Sequence, residues 1–166
     1  MGYDRRGTFD RDAQREEDVL LRRAAATGLR QLQTPESIPV MESVLANPGE
    51  DRLVRLSAAY GLAESGRSTG VAGLTRIFEE SSGDEQGRGL AFRALTSLND
   101  ERALPFMRQL VVSDAEPTYR LQAIRFVTTQ GDQEALSALQ AVIDAPDEHT
   151  AVRDAAAQAH RILSGR

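Results

Sequence analysis

Two kinds of apolar block alternate along the chain, both with the three- and four-residue spacing of a helix face. The first kind is clearest in Leu53–Ala63, where Val54, Ala58, Ala59 and Leu62 form one stripe. Such a stripe predicts an amphipathic helix with one buried side. After a short polar interval the second kind follows, as Ile38, Met41, Val44 and Leu45, then Val71, Leu74, Ile77 and Phe78. It recurs as Leu104, Met107, Leu110 and Val111 and as Leu136, Leu139, Val142 and Ile143. Five arginines keep time with these pairs: Arg22, Arg55, Arg88, Arg120 and Arg153, at spacings of 33, 33, 32 and 33 residues. An alanine sits three places after each (Ala25, Ala58, Ala91, Ala123, Ala156). Seven places after comes Leu29, Leu62, Leu95 or Val127, until His160 breaks the column.

A helical hairpin of this size cannot bury both of its apolar faces alone, so successive copies must stack into a shared core. The predicted fold class is all-α, an α-solenoid of about four and a half hairpins within residues 16–166. The copies fall at about 17–47, 51–80, 85–112 and 117–145, with a terminal cap helix over 150–163. Val152, Ala155, Ala156 and Ala159 of that helix are placed to cover the fourth copy. Within copies, the turns are Gln33-Thr34-Pro35, Ser65-Gly66-Arg67-Ser68, Asn99-Asp100-Glu101 and Gln130-Gly131-Asp132. Thr34 before Pro35 reads as an N-cap with proline at the first helical position, and Asp100 and Asp132 read as caps of the later second helices. Between copies, the connectors Ala46–Asp51, Glu79–Gly87, Ser113–Pro117 and Asp144–Thr150 carry proline or glycine and end the second helices.

Small residues in the first helices, Gly28, Gly61 and Ala94, predict close helix approach, and Phe126 in their place predicts a wider or locally rearranged interface in the fourth copy. Residues 1–15 are polar and predict either a disordered lead segment or an extension of the first helix, starting near Asp10 or near Glu17.

The Val54-Arg55-Leu56-Ser57-Ala58-Ala59 and Ala151-Val152-Arg153-Asp154-Ala155-Ala156 segments resemble the first-helix signature of HEAT repeats, most closely the short bacterial class met in phycobilisome lyases. The resemblance spans about Glu17 to Leu163 and departs locally, as at Gly87, where other copies have Leu21, Val54, Tyr119 and Val152. It implies partner binding, commonly on the concave surface that the second helices make. It also implies that the recurring arginine packs its stem between helices and gives its fork to a neighbouring acid or carbonyl. No lyase residue carries over, because no position matches a catalytic signature.

Composition narrows the function. Net charge is -5, which opposes nucleic acid, whose affinity rests on neutralising phosphates. Tryptophan is absent and aromatic content is 5%, so a dense stacking platform is unavailable. All 20 basic residues are arginine, and there is no cysteine for a disulfide, a thiolate metal site or a thiol nucleophile. His149 and His160 have no ligand-spaced partner, and no glycine-rich phosphate loop is present. No apolar run reaches the length of a membrane span, so a soluble, cytoplasmic protein is the expectation.

The expected function is therefore non-catalytic, an adaptor or regulatory module for another protein, with no cofactor and no metal. Candidate contact residues on the second helices are Val40, Arg76, Arg102, Phe106 and Gln109, with Phe106 as an apolar anchor among polar neighbours. A second candidate surface is an acidic edge of connector residues: Glu79, Glu80, Asp84, Glu85, Asp147 and Glu148. The five arginines are read as a structural ladder. Two other classes stay open: an enzyme-associated, lyase-like or chaperone-like role with a small ligand, and DNA binding through Arg76, Arg102 and Arg108. The terminal helices leave room for self-association.

Overall fold

The structure, a computed structural model, describes residues 6–32 and 34–165. Among these there are nine α-helices and no strand, the all-α solenoid class of stacked hairpins. The first hairpin is α1 (Arg6–Leu32) with α2 (Ser37–Ala46), and the second is α3 (Arg52–Glu64) with α4 (Ser68–Glu80). α5 (Glu85–Leu98) leads through a 3-10 turn into α6 (Leu104–Val111), and α7 (Pro117–Thr129) through another into α8 (Leu136–Asp144). α9 (Thr150–Ser164) closes the series. α1 starts at Arg6, ahead of both starts that the sequence suggests; residues 1–5 lie outside the described residues.

The chain divides into two compact units, one up to Ala91 and one from Phe92. The division falls inside α5. In the first unit α3 packs on α1, α2 and α4, and Met41, Leu62, Leu74 and Ile77 are fully buried. In the second unit α7 packs on α6 and α9, α8 on α9, and Leu95, Met107, Val127 and Leu139 are buried. Tyr119 meets Phe92 edge to face there, with ring centres 5.1 Å apart.

First helices end in left-handed backbone at equivalent places: Gly66 (φ 77°), Asn99 (φ 50°) and Gly131 (φ 65°). The reversal lets Arg67 N–H donate to Leu62 O and Asp132 N–H to Val127 O, both at 2.9 Å, closing each helix on its own last turn. Asn99 tolerates the conformation glycine would take. Its main-chain carbonyl and Oδ1 accept from Gln130 Nε2 at 2.9 and 3.1 Å, which ties two successive turns of the second unit.

The second helices start differently from one another. Asp100 and Asp132 each cap the 3-10 turn ahead of the helix, accepting from Arg102 N–H at 2.9 Å and Glu134 N–H at 3.2 Å. Thr34 does not cap α2, which begins two residues beyond Pro35. Instead the Ser37 hydroxyl donates back to the Thr34 carbonyl at 2.8 Å.

Glycines set close approaches in the first unit. A Cβ on Gly61 would lie 2.7 Å from Met41 Sδ, and one on Gly70 would lie 2.2 Å from the backbone nitrogen of Ala63. Gly28 makes no such approach, since nothing lies within 4 Å of the corresponding point. Beside the buried Phe126 an open groove of about 330 Å³ lies between α5 and α7, lined by Thr96, Asn99, Gln122, Arg125, Phe126 and Thr129.

Candidate protein-interface groove and the arginine staples

Arginines from the first helices hold the connectors that follow or precede them. Arg120 Nε donates to the Val111 carbonyl at 3.0 Å, while its two terminal nitrogens donate to Glu148 Oε1 and Oε2 at 2.8 and 2.5 Å. One guanidinium thus fixes the connector before its helix and the connector after the next. Arg55 donates to Glu80 at 2.9 Å with its side chain 9% exposed. Arg153 donates to the carbonyls of Ala145 and Pro146 at 2.6 and 3.0 Å. Arg88 lies over the ring of Phe78, 4.5 Å from its centre.

The first copy departs from the register that the sequence suggests. Arg22 is 53% exposed and approaches Glu50 only to 3.5 Å. Its neighbour Arg23 makes the two-pronged pair, Nε to Asp51 Oδ1 at 2.9 Å and Nη2 to Oδ2 at 2.8 Å. The following small residue agrees: Ala26 is buried and Ala25 is exposed. α1 is turned by one residue relative to the other first helices, so the structural column runs Arg23, Arg55, Arg88, Arg120, Arg153. Leu20 and Leu21 consequently face solvent, 62% and 63% exposed.

Asp51 has a double duty. It caps α3, accepting from Leu53 and Val54 N–H at 3.0 and 3.2 Å, and it receives Arg23. The Arg23 hydrogen bonds hold its carboxyl below the ordinary carboxylate range, with help from the cap donors. Glu148 is lowered for the same reason by Arg120, aided by the His149 N–H and by the nearby charge of Arg153.

These staples alter the acidic edge. Glu148 is not a solvated rim charge: its side chain is 8% exposed beneath Arg120. In the first unit Glu80 is taken by Arg55 and approached by Arg76 at 3.5 Å, and Asp84 pairs with Arg52. Gly87 makes room for that last pair, since a Cβ there would sit 2.7 Å from Asp84 Oδ2 and 3.1 Å from Arg52 Nη1. Glu79 and Glu85 are exposed in the first unit and Asp147 in the second. Glu80, Asp84 and Glu148 thus have their counter-charges on neighbouring helices.

Among the second-helix candidates, Val40 and Arg76 belong to the first unit and Arg102, Phe106 and Gln109 to the second. Val40 is 46% exposed on α2. Arg76, exposed on α4, donates to the Leu45 carbonyl at 3.0 Å and so covers the last turn of α2. Arg102 lies back on Asp100, with Nε 2.9 Å from both carboxylate oxygens, and it lowers the Asp100 carboxyl. Phe106 is half-buried and Gln109 exposed. Arg108 pairs with Asp132 at 3.3 Å and with Glu134. Arg76, Arg102 and Arg108 thus each have a carboxylate against them, which offsets part of their charge locally.

A groove that sequence reasoning missed lies between α2 and α4. Leu45, Ala46, Ala72 and Gly73 floor it, Glu42, Thr69 and Arg76 rim it, and its volume is about 540 Å³. Gly73 is what brings the helices together: a Cβ would stand 2.7 and 2.9 Å from the Leu45 methyl groups and 3.1 Å from Ala59. Gly73 carries the signal, because it leaves a place on α4 without a side chain. Among the described residues no group of three or more His, Asp or Glu is placed to hold a metal ion, and no helix is long and apolar enough to cross a membrane.

A search of curated proteins returns no match to this chain. The model of the family described as HEAT repeats matches residues 12–86 and again 71–161. With hairpins recurring in register and both halves covered, the chain belongs to the HEAT-repeat family, whose members are generally protein-interaction scaffolds.

Proposed function

We propose that this chain is a non-catalytic interaction module, an adaptor or regulatory subunit, that receives an apolar side chain of a protein partner in the groove between α2 and α4. The observation that carries the reading is the groove itself, with its apolar floor of Leu45, Ala46, Ala72 and Gly73. An apolar pocket ringed by a few polar groups is the usual form of an anchor site at a protein interface. Arg76 and Glu42 on the rim offer one charge of each sign, so the partner's flanking residues would set orientation more than affinity. Arg76 is pre-positioned for this by its bond to the Leu45 carbonyl and by Glu80. The scaffold role general to HEAT repeats supports the same assignment.

Affinity capture from an extract of the source cells, using the tagged wild type beside Ala72→Arg, tests it. Ala72 is exposed, so the larger side chain fills the groove without entering the core. A partner retained by the wild type and lost from a folded Ala72→Arg supports the proposal. A partner retained equally by both overturns it.

A further inference from the structure

The first helices of the second unit present a surface of the opposite character to the chain as a whole. α7 contains no acidic residue, the part of α5 in this unit contains none, and α9 contains Asp154 alone. Arg93, Arg125 and Arg161 stand exposed on these three helices, and none has a carboxylate partner among the described residues. In a chain of net charge -5, whose other arginines are so often engaged by connector acids, these three cations give one set of helices a locally positive surface.

Arg125 is the focus. It lines two grooves at once and is the one charged residue lining either of them. On one side, between α5 and α7, the walls are polar: Thr96, Asn99, Gln122 and Thr129. The hydroxyls of Thr96 and Thr129 donate to their own helices, leaving Arg125 and the amides of Gln122 and Asn99 as donors toward the groove. On the other side, between α7 and α9, a trough of about 220 Å³ is walled by Leu121, Ile124, Ala155, Ala159 and Ile162. Ile162 is 57% exposed at its mouth.

We infer that this surface is a second docking site, for a segment of a protein partner that sets an apolar side chain between α7 and α9 and a carboxylate on Arg125. The guanidinium fork suits a carboxylate bidentately, and the apolar trough beside it suits an aliphatic anchor. A nucleic acid would use the charge but not the trough, and the two grooves contain no aromatic side chain other than the buried Phe126 on which a base could stack. The site is separate in sequence and in unit from the groove between α2 and α4, so either can fail without the other.

Fluorescence anisotropy with two synthetic eight-residue peptide pools tests this. One pool alternates Asp or Glu with Leu or Ile, and the other replaces the acids by Asn or Gln. The acidic pool should bind roughly tenfold more tightly than the neutral pool, and Arg125→Glu should remove that difference. Amide shifts in the wild type should centre on 121–129 and 155–162. Ile162→Ser should weaken both pools. Equal binding of the two pools, shifts centred elsewhere, binding unaffected by Arg125→Glu, or tighter binding of a single-stranded oligonucleotide would each overturn the inference.

Discussion

Arg120 and Glu148 form a two-pronged ion pair whose side chains are 11% and 8% exposed. The same arginine accepts no competing role, since its Nε is already committed to the Val111 carbonyl. Removing one partner leaves a charge in poorly solvated surroundings, whereas removing both leaves an apolar gap that can close. Glu148→Ala should therefore cost about 3–5 kcal/mol in urea unfolding, and Arg120→Leu combined with Glu148→Leu distinctly less. A double variant as unstable as the two single losses added together would show that the two side chains contribute independently, with no coupling between them, and would contradict this account.

The same pair gives a pH dependence of known sign. Glu148, Asp51 and Asp100 all have carboxyls lowered in the folded protein, chiefly by hydrogen bonds from Arg120, Arg23 and Arg102. A lowered group binds fewer protons folded than unfolded, so its contribution is complete above the unfolded value, about 4, and is lost as pH falls through the folded value. Thermal unfolding measured from neutral pH downward should show stability falling below about pH 4, with a smaller fall in Glu148→Gln. A stability that rises on acidification would contradict the assignment.

Arg22 and Arg23 separate sequence register from structural register. Arg23→Ala removes two hydrogen bonds from the residue that caps α3 and should cost about 1 kcal/mol, discounted for its partial exposure. Arg22→Ala, with only a 3.5 Å approach to Glu50, should stay within about 0.5 kcal/mol. Equilibrium unfolding of the two variants compares them directly, and the reverse order would restore Arg22 to the column.

Two helical glycines should respond to alanine with opposite signs. Gly28 has open space where the methyl group would go, so Gly28→Ala should stabilise by about 0.5–1 kcal/mol through helix propensity. At Gly70 the methyl group meets backbone of α3 that cannot move away, so Gly70→Ala should destabilise by about 1–3 kcal/mol. Thermal melts of both variants check the pair of signs.

The hairpins were legible because burial repeats: Met41, Leu74, Met107 and Leu139 recur in the second helices and are all fully buried. Register in α1 was not. Arg22-Arg23 and Ala24-Ala25-Ala26 are doubled letters, so a column can be drawn through either member, and only the rotation of the helix against α3 decides. Nor could the connectors' charge be read correctly from their own residues. Glu148 and Asp84 look solvated until the arginines that neutralise them, 28 and 32 residues earlier, are brought alongside. The groove between α2 and α4 was hidden for a related reason: Gly73 contributes space, which a search for protruding anchors such as Phe106 passes over.

Site-specific photo-crosslinking in source-cell extract tests the central claim most directly, with benzoylphenylalanine placed at the exposed rim residue Thr69 in one protein and at the exposed Ala141 of α8 in another. The account predicts a discrete protein adduct from position 69 that untagged wild type competes away, and no such adduct from position 141. Adducts of equal yield from both positions, or none from position 69, would contradict the claim that the groove between α2 and α4 is where this repeat protein takes hold of its partner.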